Sequence, residues 1–259
     1  MSLSRKIGDL TEEIYEKVLL EQIAKDGNVP YHVGIITDGN RRYANSHGIE
    51  SNLGHVKGKE KLEEVLEWCM EIGTRVVTVY AFSTENFKRD NKEVEFLFTL
   101  ISNSLLNLIN DERVQRNKIR VKIIGSIETL PGFLQDSIKK VEDATKDYNG
   151  YKLNIAVAYG GREEIIEAIR KIADEYKQGK ITMDDITEEN FKKYLYDGTI
   201  PDPDLILRTS GEERVSNFLL WQGAYSELYF SDVFWPELRK LDFLRAVRSY
   251  QTRKRRFGT

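Results

Sequence analysis

A single cysteine, Cys69, is all that the 259 residues contain, so no disulfide can close within the chain. It lies in an apolar-periodic stretch, and a reduced, cytoplasmic setting is the expectation. Three histidines (His32, His47, His55) and that one cysteine are too few to suggest a His/Cys zinc site. No run approaches the roughly 18 to 20 apolar residues that a membrane span needs. The opening Met1-Ser2-Leu3-Ser4-Arg5-Lys6 leads into mixed, acidic sequence without the apolar core of a signal peptide. There is no excess of one charge either, since 39 Lys+Arg against 42 Asp+Glu leave a net −3. With no wide basic stripe, nucleic-acid binding is not expected. The only dense basic cluster, Arg253-Lys254-Arg255-Arg256, reads by itself as a solvated helix end. Five prolines, and the absence of repeats or a Pro/Gly/Ser-rich linker, favour one well-packed α/β domain of this length.

What is present is alternation. A helical stripe over 10–25 (Leu10, Ile14, Val18, Leu19, Ile23) ends at Asp26-Gly27-Asn28. Short β-branched runs then follow at 31–37, 75–82, 119–125, 152–158, 204–208 and 226–230. Helical patterns separate most of them, at about 55–72, 91–116, 131–147, 161–179 and 187–196, and a last one covers 236–255. Near-continuously apolar strands alternating with helices predict a mostly parallel central sheet of about six strands, buried on both faces and flanked by helices. The 91–116 segment is apolar well beyond one stripe, with Val94, Leu97, Phe98, Ile101, Leu105 and Leu108 joined by Phe96, Leu100, Leu106 and Ile109. Such a helix is a central core element or packs on the sheet with one face and lines an apolar cavity with another.

In parallel sheets ligands bind beyond the carboxyl ends of the strands. The first strand is followed by Thr37-Asp38-Gly39-Asn40-Arg41-Arg42-Tyr43, the second by Ser83-Thr84-Glu85-Asn86-Phe87-Lys88-Arg89. The fifth is followed by Thr209-Ser210-Gly211-Glu212-Glu213-Arg214-Val215-Ser216-Asn217, and Glu227 lies in the last. The third, ending at Gly125-Ser126, is plain. Arginine forks and loop N–H groups bind phosphate oxygens, and a lone carboxylate among them suits Mg²⁺ held on those phosphates. Asp38 is placed for that, with Gly39 letting the backbone approach an oxyanion. Two anion sites are expected, around 39–43 and around 208–216. His55, at a helix start after Gly54, either touches a phosphate or is a surface or capping histidine. Gly160-Gly161-Arg162 reads as a tight strand-to-helix turn.

Neither a Walker A motif nor GxGxxG is present. Asp184-Asp185-Ile186-Thr187-Glu188 looks like a metal-binding DDxxD, but Thr187 as the N-cap of a following helix explains it better.

His32-Val33-Gly34-Ile35-Ile36-Thr37-Asp38-Gly39-Asn40-Arg41-Arg42-Tyr43-Ala44 resembles the first signature of the cis-prenyltransferases, the undecaprenyl diphosphate synthase family. Tyr80-Ala81-Phe82-Ser83-Thr84-Glu85-Asn86-Phe87 is similar to the second, and Arg208 through Gln222 with Ala224-Tyr225-Ser226-Glu227-Leu228 to the last. The resemblance runs from about residue 31 to Arg256-Phe257-Gly258. It implies residues 31–259 as the cis-prenyltransferase domain and 1–30 as an N-terminal helical extension. Gly-Asn-Arg-Arg-Tyr and Gly-Glu-Glu-Arg are similar to archaeal members, which makes geranylgeranyl or farnesyl diphosphate the expected starter.

The resemblance implies that isopentenyl diphosphate adds repeatedly to an allylic diphosphate, building a long-chain polyprenyl diphosphate, the precursor of a glycosyl carrier lipid. It makes Asp38 the essential carboxylate carrying Mg²⁺ on the pyrophosphate. Gly39, Asn40, Arg41 and Arg42 cradle the allylic diphosphate, with Tyr43, His55 and Arg89 nearby. Arg208, Arg214 and Ser216 hold isopentenyl diphosphate, and Glu227 helps bind its Mg²⁺. Ser83, Thr84, Glu85, Phe87 and Val215 are further substrate-binding candidates. Asn86 matches the residue assigned to proton removal, but an amide is a poor base and positioning suits it better. The 91–116 helix, with Leu62 and Leu66, would line the tunnel for the growing chain. Glu213 stands where many bacterial members have His, Ser51 where they have Arg, and Tyr43 and Phe87 where they have Trp. A homodimer is implied, with Arg256-Phe257-Gly258 reaching the partner's site, and so is peripheral membrane contact for product release. The alternatives are a non-catalytic subunit of a heteromeric enzyme and an Mg²⁺-dependent phosphohydrolase. Asp38 and the Arg208/Arg214 pair argue against the first, the apolar helix against the second.

Overall fold

In a computed structural model, which describes residues 3–253 and side chains from residue 12 onward, six strands alternate with nine helices. The strands are β1 (His32–Ile36), β2 (Val76–Ser83), β3 (Ile119–Ile124), β4 (Tyr151–Tyr159), β5 (Leu205–Arg208) and β6 (Glu227–Phe230). The helices are α1 (Leu3–Asp26), α2 (Asn40–Ser46), α3 (Ser51–Ile72), α4 (Asn91–Ile109), α5 (Glu112–Arg116), α6 (Gly132–Thr145), α7 (Gly161–Lys177), α8 (Glu188–Lys192) and α9 (Lys240–Thr252). The strands hydrogen-bond in the order β3-β4-β2-β1-β5-β6. The pairs β1/β5, β5/β6 and β3/β4 are all parallel, as the uninterrupted apolar runs predict. Every residue of β1 and β5 is buried, which is why these strands carry no polar alternation.

The chain folds as two compact units. The first holds the chain up to Val77, Pro203–Glu213 and the chain from Glu227. Here β1 pairs with β5 so that Ile36 lies opposite Arg208, and β5 pairs with β6 so that Leu205 lies opposite Glu227. Asp204 fixes the other end of the β1/β5 pair, its Oδ2 accepting the backbone N–H groups of Tyr31 and His32 at 2.8 and 3.0 Å. Helix α1 buries Leu19 and Ile23 and is tied to α9 by Arg248 on Asp26 and by Gln251 on the Ile23 carbonyl. Trp235, fully buried, donates its indole N–H to the Gly58 carbonyl at 2.7 Å.

The second unit holds Thr78–Asp202 and Arg214–Ser226. Helix α4 packs on α6, where the buried Ser102 and Ser137 hydroxyls meet at 2.8 Å. Phe82, Phe87 and Phe98 form an aromatic cluster with ring centroids 5.0–6.0 Å apart. Buried Glu164 collects the Tyr159 hydroxyl, the Gln222 amide and the Tyr196 backbone N–H. Burial pushes its carboxyl above the ordinary carboxylate range, against the pull of those hydrogen bonds.

Several expected boundaries are corrected. Residues 40–46 form helix α2 where only a loop is expected, because Asn40-Arg41-Arg42-Tyr43 has no apolar period to reveal it. The 91–116 helix breaks at Asn110-Asp111, where the Asp111 carboxylate accepts the Arg113 N–H at 2.8 Å and starts α5. The 187–196 helix is reduced to Glu188–Lys192, capped by Thr187 as predicted. Asp185 is a cap of a short 3₁₀ turn, its carboxylate accepting the Thr182 N–H and hydroxyl at 2.7 and 2.8 Å. Lys254-Arg255-Arg256 and Arg256-Phe257-Gly258 lie outside the described residues.

Candidate active site

In the first unit, β1 stops at Ile36 and the chain turns at Asp38-Gly39 into α2. Gly39 has φ +110°, and a Cβ there would lie 3.1 Å from Phe234 Cα and from Ser210 Cβ. Only glycine meets both demands. The Asp38 carbonyl accepts the Thr209 hydroxyl at 2.6 Å and the Trp235 N–H at 3.0 Å, so the turn is held from two sides. The Asp38 carboxylate is then fixed by two arginines. Arg208 Nη2 donates to Oδ2 at 2.8 Å, and Arg42 Nη2 stands 3.2 Å from Oδ1. Arg42 also donates from Nη1 to the Ser210 carbonyl at 3.1 Å and to Glu212 at 3.3 Å, and lies over the Phe234 ring.

Asn40 opens α2 against α3, where a Cβ at Gly58 would strike its Oδ1 at 2.3 Å. Asn40 Oδ1 and Ser210 Oγ are buried polar atoms without a hydrogen-bond partner. The Ser210 hydroxyl, on a side chain packed against Gly39, is an unused polar group next to the Asp38 turn and suits a polar ligand, whereas Asn40 Oδ1 faces Gly58. Arg41 is exposed, and the Tyr43 ring packs at a tilt against His47 with centroids 4.3 Å apart. His55 is not a surface or capping residue: it is buried within α3. At the start of β6, Glu227 accepts Arg253 Nη1 at 2.7 Å, and the same nitrogen donates to the Leu228 carbonyl.

In the second unit, β2 ends at Ser83 and Thr84–Lys88 form a 3₁₀ turn. Asn86 Oδ1 accepts the Ser83 N–H at 3.0 Å, which commits this oxygen to closing the turn. Thr84 donates to Glu85. Partial burial raises the Glu85 carboxyl, but hydrogen bonds from its own N–H and from Ser83 and Asn217 outweigh it and hold the group below its ordinary value. Arg89 pairs with Glu93 at 3.0 Å. Arg214 is exposed, Val215 and Ser216 are half-buried, and Ser216 and Asn217 both have left-handed backbone. Half-buried Val94, Phe96, Leu100, Ile101, Leu106 and Leu108 leave much of α4 apolar and partly open, beyond its buried Leu97, Phe98 and Leu105.

The plain strand end at Gly125-Ser126 is not empty of structure. A cavity of about 530 Å³ opens there, lined by Arg162, Glu163, Glu167, Arg170, Lys171 and Tyr196 among others. Its opposed charges balance, unlike the Arg-rich surroundings of Asp38. Four residues of consequence are absent from the predicted set: Ser210, Phe234, Trp235 and Asn217. Ser210 and Asn217 lie inside the recognised motif. Among the described residues no three His, Cys, Asp or Glu side chains gather as a metal cage.

The family model described as "Putative undecaprenyl diphosphate synthase" matches residues 36–258. A "tritrans,polycis-undecaprenyl-diphosphate synthase (geranylgeranyl-diphosphate specific)" of Thermoplasma acidophilum is 62% identical over 258 residues, the whole of both chains. The protein of the same name from Picrophilus torridus is 65% identical over 252 residues, 97% of this chain and 98% of its own. Among solved structures, lavandulyl diphosphate synthase from Lavandula x intermedia in complex with dimethylallyl diphosphate superposes with a TM-score of 0.85 at 37% identity. That match covers 89% of this chain and 99% of the other. A "probable undecaprenyl diphosphate synthase" from Campylobacter jejuni superposes at 0.74 with 32% identity, over 90% and 100% of the two chains.

Proposed function

The chain belongs to the undecaprenyl diphosphate synthase family and is a cis-prenyltransferase that condenses isopentenyl diphosphate onto an allylic diphosphate; from that premise we propose geranylgeranyl diphosphate as its starter, Mg²⁺ as its metal, and the residue roles below. The geranylgeranyl diphosphate specificity in the names of the archaeal relatives supports the starter, in preference to farnesyl diphosphate. The product is a long-chain polyprenyl diphosphate, precursor of a glycosyl carrier lipid.

The observation that carries the assignment is Asp38, standing at the end of β1 with Arg208 and Arg42 on its two oxygens. Guanidinium groups exchange readily from a carboxylate to diphosphate oxygens. Arg42 and Arg208 then stabilise charge on the phosphates, and the carboxylate oxygens they leave are hard donors of the kind Mg²⁺ takes. Asp38 would hold the metal, and Glu227 would hold it on isopentenyl diphosphate. Bound Mg²⁺ neutralises charge that develops on the departing diphosphate. Gly39, Asn40, Arg41 and Arg42 cradle the allylic diphosphate, with Tyr43, His55 and Arg89 as supporting residues. Arg208, Arg214, Val215 and Ser216 serve isopentenyl diphosphate, and Ser83, Thr84, Glu85 and Phe87 contribute further substrate contacts. Asn86 positions rather than removes a proton, since its oxygen already accepts the Ser83 N–H and an amide is a weak base. Diphosphate or water takes the proton. Residues 31–259 are the catalytic domain and 1–30 the helical extension.

The protein works in the cytoplasm as a homodimer. Ile166 and Ile169 are half exposed on α7, between Arg162, Glu163, Glu167 and Arg170, a mixed pattern that a second copy can complement. No described helix is long and apolar enough to cross a membrane, and the apolar product gives a reason for peripheral contact with one.

The test is a product assay with Mg²⁺, isopentenyl diphosphate and either geranylgeranyl or farnesyl diphosphate, sized by mass spectrometry. A ladder of five-carbon additions, faster from geranylgeranyl diphosphate and abolished by EDTA or Asp38→Ala, is expected. Phosphate release without elongation would overturn the reading.

A further inference from the structure

The segment 214–220, which carries Arg214 and Ser216, leaves the ordinary backbone regions three times. Ser216, Asn217 and Leu219 have φ +46°, +63° and +44°. L residues adopt this left-handed region only at a cost, so surrounding contacts must impose it. Several of the contacts that do so belong to Asn217, through its side chain and its own carbonyl. Asn217 Oδ1 accepts the Arg162 N–H at 2.9 Å, and the Asn217 carbonyl accepts the Gly161 N–H at 2.7 Å. Its Nδ2 donates to Glu163 Oε2 at 3.0 Å and to Glu85 Oε1 at 3.4 Å. The neighbouring glycines are shaped to this contact. A Cβ at Gly160 would come within 2.7 Å of Asn217 Nδ2, and one at Gly161 within 3.1 Å of its carbonyl oxygen.

Asn217 thus joins three segments of the second unit: the start of α7, the 3₁₀ turn after β2, and its own chain beside Ser216. We propose that Asn217 is a positioning residue that fixes the geometry of Arg214–Ser216 and thereby sets affinity for isopentenyl diphosphate. The inference rests on the assignment of that substrate to Arg214 and Ser216. The remainder of the segment has separate anchors, since Phe218 stacks on Tyr80 at 4.7 Å and Gln222 is held by buried Glu164. Removing the Asn217 amide therefore loosens the first half of the segment and leaves the unit folded.

Asn217→Gly deletes the amide and keeps the left-handed backbone without strain. It is expected to raise the KM for isopentenyl diphosphate about tenfold, the loss of one or two hydrogen bonds to charged groups. The KM for the allylic diphosphate and the Tm stay near wild type, and hydrogen exchange over 214–218 quickens. Asn217→Asp sets a carboxylate against Glu163 and Glu85 and is expected to be worse. Pairing it with Glu163→Gln restores an N–H···O contact of reversed polarity and recovers the lower KM. Unchanged exchange in Asn217→Gly, an equal rise in both KM values with a fallen Tm, or no recovery in the double variant overturns the proposal. Wild-type enzyme that fails to elongate would instead overturn the reading of function, and the exchange comparison still decides the role of Asn217.

Discussion

Arg208 donates to Asp38 at 2.8 Å because the register of β1 on β5 sets Ile36 opposite Arg208, two residues before the carboxylate. The arginine is buried while Asp38 is part-exposed. The fixed partner is therefore the cation, and the carboxylate is the member open to a ligand. Both Asp38→Ala and Arg208→Ala are expected to lower kcat by about 10²- to 10³-fold, the usual loss when a charge-stabilising group is removed. Arg208→Lys should not restore it, since a point charge cannot reproduce the fork. Steady-state elongation kinetics decide the matter, and an Asp38→Ala enzyme within threefold of wild type would sink it.

The turn that aims Asp38 depends on Gly39. Gly39→Ala meets φ +110° and 3.1 Å contacts with Phe234 and Ser210 at once. A loss of roughly 1–3 kcal/mol in unfolding free energy is expected from backbone strain of this kind, together with loss of elongation. Urea unfolding of the two proteins measures the first and product assay the second. A fully stable, fully active alanine variant would show that the turn carries no such constraint.

Glu164 gives the second unit a pH dependence. Its folded carboxyl titrates above the ordinary value because burial penalises the charge. The unfolded chain then releases this proton first as pH rises. The stabilisation is complete below the unfolded pKa and is lost as pH climbs through the raised folded pKa. Glu164→Gln has no such titration. The Tm of wild type minus that of Glu164→Gln should therefore fall steadily with rising pH over the acid-to-neutral range. Parallel melting curves at all pH values would contradict the raised pKa.

Much of this was legible in the residues themselves, for physical reasons that also mark the boundary. The strands announce themselves as β-branched runs, least interrupted in β1 and β5 where every residue is buried, while β3 still carries the exposed Arg120 and half-buried Lys122. Asp38 and Arg208 are recognisable by standing at the ends of such runs. Their contact is not, since register depends on how β1 and β5 pair. Helix α2 escapes notice because it buries only Ala44 and so shows no apolar period. The break at Asn110-Asp111 escapes because the apolar pattern runs up to it and only the Asp111 cap betrays it. Asn217 is silent for a different reason: its partners Glu85 and Glu163 are distant in the chain, and no local pattern encodes them.

Cys69 offers a direct reading of how firmly α3 is held. It is almost wholly buried, and burial pushes its thiol up to about 12. Only the thiolate reacts with disulfide reagents, so the folded protein is doubly protected, by exclusion and by protonation. With no other thiol in the chain, any labelling reports this site alone. The native protein should react with a disulfide reagent at least about 10³-fold more slowly than the chain in guanidinium, as expected when labelling requires opening of a core element. Helix α3 also carries buried His55 and packs Gly58 against Asn40 and the Trp235 indole. Trp235→Phe removes the hydrogen bond to the Gly58 carbonyl and should speed labelling of the native protein, while its rate in denaturant stays the same. Stoichiometric labelling of the folded wild type within minutes would mean that α3 opens readily, and the support it gives Asn40 would then be weaker than its contacts indicate.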